Sequence, residues 1–246
     1  MDDLALAADL VRAAGTLAAQ MLADGLDVQH KTSVSDVVSA ADHAAEELIV
    51  ERLRAERPDD GIVGEEGTSD AGTGRTWYVD PVDGTYNFLA GLSVWCSAIA
   101  LDETLGAVHH PATDELWAGG PGLPTTRNGQ PIAPLPERPL RDVSIATYLH
   151  PTALPDDSRR IPVLRAIGGA ATVRMMGSGS VELASVAGGR LGAVLHLNSA
   201  PWDWLPGAAL VRGAGGVADV VEAHGNSWHI AGCRSVVDEI ARLIAG

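Results

Sequence analysis

The sequence predicts a layered α/β protein, on three observations. Apolar residues make up 46% of the 246-residue chain and charged residues 20%, the balance of a chain that buries a core. From about residue 143 onward, short apolar runs alternate with helix-patterned stretches. No run reaches the roughly 18 apolar residues of a membrane span. Aromatics are only 4%, so the core has to be built from Ala, Val, Leu and Ile.

The elements follow in order. Residues 2–24 are rich in Ala and Leu, with Leu6, Leu10, Leu17 and Met21 near helical spacing. Asp2 and Asp3 stand where a helix dipole favours them, and Asp24-Gly25 stops the helix. A second helix is expected from Ala40 to Arg57, with Ala44, Leu48 and Leu53 on one face and Pro58 ending it. Gly61–Gly64, Thr76–Val79, Val94–Leu101, Leu105–His109 and Glu115–Ala118 read as strands between Gly, Pro and Asp breaks. The stretch 119–141 is rich in Pro, Gly and Thr and reads as a surface loop with at most one extended piece. It divides the chain into an N-terminal half, 1–140, and a C-terminal half, 141–246, forming one compact catalytic unit. In the second half Val143–Thr147, Ala171–Met175, Gly192–Leu197 and Val217–Val221 read as strands. Ile161–Ile167, Ser180–Ala187, Trp202–Arg212 and Val236–Ala245 read as helices.

Lys plus Arg is 17 and Asp plus Glu is 32, a formal charge of −15. That argues against general nucleic-acid binding, because phosphate backbones require Lys and Arg. It leaves a small phosphorylated substrate open, since bound cations invert local charge. The two cysteines, Cys96 and Cys233, make no metal-type pair and no disulfide framework, which favours a reducing compartment. The acidic start, without a basic n-region, is not a secretory signal. A cytoplasmic enzyme without membrane attachment is expected.

The densest chemistry lies in Trp77-Tyr-Val-Asp80-Pro-Val-Asp83-Gly-Thr85-Tyr-Asn87-Phe. An apolar strand runs into two carboxylates, with Pro81 fixing one backbone angle and Gly84 permitting a tight turn. Asp80 and Asp83 can converge there, and the Val82 carbonyl adds a neutral oxygen. Such hard donors suit Mg²⁺ or Mn²⁺ rather than Zn²⁺. If Gly84 and Thr85 begin a helix, their N–H groups face a phosphate. Three weaker acidic stretches accompany this one. They are Gly64-Glu65-Glu66-Gly67, Lys31-x(4)-Asp36-x(5)-Asp42, and Pro201-Trp202-Asp203-Trp204 before Leu205-Pro-Gly-Ala-Ala. Taken singly, Asp203 reads as an N-cap and the others as polar loops.

In this order the four pieces resemble the inositol monophosphatase family of Mg²⁺-dependent, lithium-sensitive phosphatases, over residues from about 31 to 220. The resemblance implies an α-β-α-β-α sandwich of the sugar-phosphatase type, a homodimer, and two or three Mg²⁺ ions, with Mn²⁺ as a substitute. It implies that Glu65, Asp80, the Val82 carbonyl, Asp83 and Asp203 ligate metal. Asp42 and Thr85 would orient and activate the attacking water, with Glu65 completing the catalytic set. Asp83, Gly84, Thr85, Asp203 and the segment Arg174-Met-Met-Gly177-Ser178-Gly179 would meet the substrate, and Lys31 matches a basic position near it. Inositol-type members place a substrate-binding Glu seven residues before the WD aspartate, where this chain has His196. His196 would donate to a hydroxyl or a second anionic group, or else cap a strand. The implied reaction is hydrolysis of a small phosphomonoester. Inositol 1-phosphate and related sugar phosphates come first; histidinol phosphate, fructose 1,6-bisphosphate and 3′-phosphoadenosine nucleotides are alternatives. A catalytically silent relative that binds a metabolite or protein is the rival from another class.

Overall fold

The computed structural model describes residues 1–25, 28–30 and 37–246, with backbone only at 28–30 and 37–39. Helix α1 (Asp3–Asp24) starts at Asp2, whose carboxylate accepts from the Ala5 N–H at 2.7 Å, and stops at Gly25. Strands β1 (Val28–His30) and β2 (Val37–Ser39) pair antiparallel and lead into α2 (Ala40–Glu56). The buried face of α2 carries Ala41, Asp42, Ala45, Glu46, Ile49, Val50 and Leu53. This corrects the expected face: Ala44 and Leu48 only flank it. An apolar pattern misplaces the face because two carboxylates, Asp42 and Glu46, belong to it.

An eight-stranded sheet follows, formed by β3 (Gly61–Gly64), β4 (Ser69–Asp70), β5 (Thr76–Asp83), β6 (Cys96–Leu101), β7 (Leu105–His110), β8 (Glu115–Gly120), β9 (Leu123–Arg127) and β10 (Gln130–Pro131). Its order is β10-β9-β8-β7-β6-β5-β3-β4, antiparallel except for β3 beside β5. The short helix α3 (Thr85–Leu89) leaves the end of β5. Strands β9 and β10 lie inside the stretch expected to be loop. They join through Asn128-Gly129, both at positive φ, a tight hairpin turn. Pro124 and Pro131 dilute the strand pattern there, which an edge position tolerates.

The C-terminal part gives β11 (Ser144–Thr147), α4 (Asp157–Gly168), β12 (Thr172–Arg174), α5 (Gly179–Ala187), β13 (Ala193–Leu197), α6 (Pro201–Gly213), β14 (Val217–Ala223), β15 (Asn226–Gly232) and α7 (Arg234–Ala245). Their five strands form a second sheet, β12-β11-β13-β15-β14, parallel at β11 and antiparallel around β15. Strand β15, which the sequence pattern does not announce, sits inside this sheet. It is the return arm of a hairpin through His224-Gly225, again two positive-φ residues.

The layers are visible in the packing. Leu6, Leu10 and Val11 of α1 and Ile49 and Leu53 of α2 bury against Trp77, Val79 and Ile99 on one face of the large sheet. Leu183 of α5 and Ala208, Leu210 and Val211 of α6 fill the space between the two sheets, against Ala98, Val108, Trp117, Val194 and Ala231. Val163 of α4 and Val236, Ile240 and Ile244 of α7 cover the far face of the small sheet. The result is an α-β-α-β-α sandwich. No described helix is long and apolar enough to cross a membrane.

Candidate active site

The site lies where the end of β5 meets the start of α5 and α6. Strand β5 runs past Val79 to Asp83, further than the sequence suggested. Its register against β6 shifts between Asp80, opposite Ala98, and Asp83, opposite Cys96. Side chains three apart on a regular strand point to opposite faces. The extra residue of the bulge brings both carboxylates to one side, and Pro81 sits in it where no ladder N–H is needed. The bulge carbonyl of Pro81 accepts from Ser97 Oγ at 2.6 Å.

Asp203 approaches from the first turn of α6. The helix begins at Pro201 with Ala200 as N-cap, so Asp203 is not the cap that a lone Asp suggested. Pro201 fixes the first turn, and the third helical residue is turned toward the sheet. Carboxylate oxygens of Asp80, Asp83 and Asp203 all lie within 4.8 Å of one another. No Lys or Arg among the described residues forms an ion pair with any of the three.

Asp80 is held well above the usual carboxylate range, first by burial and then by the charges of Glu65, Asp83 and Asp203. Burial and Asp203 push Asp83 up to about 7, against hydrogen bonds from Ser180 and Ser178 that oppose the rise. Asp203 is raised by burial, with His196 acting the other way. The oxygens of Asp80 are unequal. Oδ1 accepts from the Val82 N–H at 3.1 Å, whereas the buried Oδ2 has no hydrogen-bond partner. Three clustered carboxylates, one of them with an orphaned buried oxygen, make a hard-donor set that could hold a metal ion.

The expected water-activating pair is also adjacent to this end of β5. Thr85 Oγ1 lies 3.3 Å from Asp42 Oδ1 and 3.1 Å from the Val82 carbonyl, and Asp42 is fully buried. Glu65 follows β3; its N–H donates to the Val79 carbonyl at 3.1 Å, next to Asp80. Lys31 and Asp36 lie outside the described residues.

Several contacts stitch the segment 176–180 to the Asp83-Gly84-Thr85 turn. Asp83 accepts from the Gly179 N–H at 3.0 Å and from the Ser180 N–H. Asn87 Nδ2 donates to the Val94 and Met176 carbonyls, each at 2.7 Å. Gly84, at φ +99, packs so closely that an added Cβ would stand 3.0 Å from the Gly177 carbonyl. Ser178 caps α5 through the Val181 N–H. Arg174 is not brought in: it is exposed on the edge strand β12 and bonds to Thr172 and to the Val173 carbonyl.

His196 is no strand cap. It lies within β13, buried, with Nε2 at 2.7 Å from Glu182 Oε2. Its ring edge faces Gly179, where an added Cβ would stand 3.4 Å from Cε1. Glu182 is itself buried and also accepts from the Met176 N–H at 2.8 Å. Sequence reasoning missed both Glu182 and Glu46. Each sits among apolar residues at helical spacing, and that misplacement of a charge was the available signal. Cys96 is a poor nucleophile: it is buried, and burial with Asp83 and Asp80 raises its thiol well above the ordinary value. His109 is buried and His110 is half-exposed, so the adjacent histidines do not share a face.

Known proteins match this chain in sequence and in fold. The model of the inositol monophosphatase family matches residues 2–244. An inositol-1-monophosphatase of Rhizobium meliloti is 37% identical over 198 residues, 78% of this chain and 74% of that protein. A fructose-1,6-bisphosphatase/inositol-1-monophosphatase of Thermotoga maritima is 31% identical, covering 88% of this chain and 84% of that one. Among solved structures, the extragenic suppressor protein suhB of Bartonella henselae superposes with a TM-score of 0.87 at 28% identity, over 97% of this chain and 96% of that chain. The chain belongs to the inositol monophosphatase family and is a phosphatase of phosphoric monoesters.

Proposed function

We propose that the protein is a Mg²⁺-dependent phosphatase of a small phosphorylated metabolite, with inositol 1-phosphate or a related sugar phosphate as substrate. The observation that carries this reading is the cluster of Asp80, Asp83 and Asp203, drawn from separate segments to within 4.8 Å. Glu65 and the Val82 carbonyl complete the donor set. When bound, divalent cations supply charge neutralisation at the phosphate and acidify the attacking water. The chain's own groups do the rest. Asp42 and Thr85 orient that water, and Asp42 accepts its proton by way of the Thr85 hydroxyl. The first N–H groups of α3, at Gly84 and Thr85, have no partner within the helix and face the phosphate. The stitched segment 177–179 forms the substrate wall. Neither Cys96 nor a serine is needed as nucleophile, because in-line displacement calls for positioning rather than a covalent intermediate.

His196 stands where inositol-type members carry a substrate-binding Glu. Its bond to Glu182 fixes the ring and leaves the Nδ1 side toward Gly179, where it selects among substrates. The relatives named for both fructose 1,6-bisphosphate and inositol phosphate support keeping the bisphosphate as the second substrate.

The two cysteines are free and buried, which supports a cytoplasmic setting. The exposure of several large apolar side chains in the C-terminal part, among them Tyr148, Leu154, Leu164 and Met175, supports a homodimer. A phosphate-release screen over a metabolite panel tests the function. The expected result is Mg²⁺-dependent release from inositol 1-phosphate or a sugar phosphate. Release no faster with Mg²⁺ than with chelator would refute the enzymatic reading.

A further inference from the structure

We propose that Glu46 is a positioning residue of the metal centre, holding Glu65 in place through the turn 64–68. The inference rests on the reading of Glu65 as a metal ligand. Glu46 lies one helical turn after Asp42 on the inner face of α2 and is 4% exposed. Its two oxygens take three donors from one turn. Oε2 accepts from the Glu66 N–H at 2.8 Å. Oε1 accepts from the Thr68 N–H at 3.1 Å and from Thr68 Oγ1 at 2.7 Å.

These bonds grip the peptide immediately after Glu65. On its other side, the Glu65 N–H is fixed to the Val79 carbonyl. Glu65 is thus pinned before and after its Cα, with its backbone set beside Asp80. The turn closes through Gly64 N–H to the Thr68 carbonyl at 2.9 Å, and Gly67 takes a positive φ of 111°. Gly64 is required by the same carboxylate: a Cβ there would stand 2.4 Å from Glu46 Cδ. The Gly-Glu-Glu-Gly-Thr string is therefore shaped around Glu46, a residue 18 or more positions earlier in the chain.

The consequence is a division of labour on one helix. Asp42 faces Thr85, and Glu46 never touches the reacting groups but fixes the ligand that does. Residues that orient metal ligands typically change metal affinity by about 10- to 100-fold when altered. Gln keeps the shape of Glu46 but offers one oxygen, and its NH₂ meets an N–H or a hydroxyl that is itself a donor.

The experiment is Mn²⁺ binding to the substrate-free protein, followed by EPR or calorimetry, in wild type, Glu65→Gln, Glu46→Gln and the double variant. Glu46→Gln is expected to weaken binding by about 10-fold or more. The double variant should bind no worse than Glu65→Gln alone. Unchanged affinity in Glu65→Gln would overturn the reading of Glu65 as a ligand, and this inference with it. Weakened binding in Glu65→Gln with unchanged binding in Glu46→Gln would overturn the inference alone. An equal loss from Glu46→Gln on both backgrounds would also overturn it, since that is general loosening. Thr68→Val, which removes one donor and keeps the charge, serves if Glu46→Gln fails to fold. It should weaken binding by about 2- to 10-fold, the worth of one hydrogen bond, and no change would overturn the inference.

Discussion

Glu46 and Asp80 are both buried carboxylates in the first half of the chain, and their charges are met in opposite ways. Glu46 receives three donors from the turn 64–68. Asp80 receives one, from Val82, and its Oδ2 points among other acids without a partner. Glu182 sides with Glu46, since Met176 and His196 occupy its two oxygens. A buried charge is tolerated when donors surround it, and otherwise requires a counter-charge. Folding alone therefore completes the Glu46 and Glu182 environments, whereas the Asp80 cluster, on the reading proposed above, is completed by a cation.

The sharpest break in this contrast is Asp80→Asn. Turnover should fall by about 10³-fold or more, because the cation-holding set is lost. Yet in chelator at pH 8 the variant should be more stable than wild type, on the order of 1–3 kcal/mol, since one of several crowded charges is gone. Chemical denaturation measures this. A destabilised Asp80→Asn would place Asp80 with Glu46 and erase the distinction.

The next effect is on pH dependence. Asp83 in the folded chain titrates at about 7, above its ordinary 3.8. Between those values the folded state keeps a proton that the unfolded chain has released. Raising the pH therefore works against the folded state across this window, and the loss is complete above it. Asp80 and Asp203, raised in the same direction, add to the trend. In chelator, wild type should lose stability from about pH 4 to about pH 7 relative to Asp83→Asn, and excess Mg²⁺ should abolish that loss. Parallel curves for the two proteins would contradict this.

On the satisfied side, Gly64→Ala tests how firmly Glu46 is fixed. The new Cβ would meet Glu46 Cδ at 2.4 Å, and a side chain held by three hydrogen bonds has little room to retreat. A loss of about 1–3 kcal/mol is expected in thermal or denaturant unfolding. A neutral substitution would show that the carboxylate is loosely held.

The smallest expected effect concerns substrate choice. His196→Glu alone would set two buried carboxylates side by side, because Glu182 already occupies the ring's partner position. Paired with Glu182→Gln, it should shift relative kcat/KM toward inositol phosphates by about 10-fold, the scale of one well-placed hydrogen bond in a site. An unchanged substrate profile would remove His196 from the selecting residues.

Much of this was legible in the sequence, and the remainder was hidden for identifiable reasons. The layered class, most helices and the strand leading into Asp80 followed from periodicity and punctuation. Strands β9, β10 and β15 are hard to read because their signals are two-residue turns, Asn128-Gly129 and His224-Gly225, with Pro124 and Pro131 near the first and the polar Asn226, Ser227 and His229 after the second. The string around Asp80 and Asp83 marked where carboxylates converge, but spacing alone does not reveal the bulge that aligns the two side chains. Glu46 and Glu182 escaped because a charge on an apolar face was treated as an interruption of the helix pattern. Their partners, Thr68 and His196, are remote enough in sequence that only folding joins them.

On the proposed reading the Asp80 cluster is unfinished without a cation. Thermal unfolding of wild type and Asp80→Asn at pH 8, with chelator and then with increasing Mg²⁺, tests it most directly. Wild type should gain stability with Mg²⁺, by about 2.7 kcal/mol when the cation reaches a hundredfold excess over its dissociation constant, while Asp80→Asn should gain far less over the same range. An equal gain in both proteins would contradict the claim.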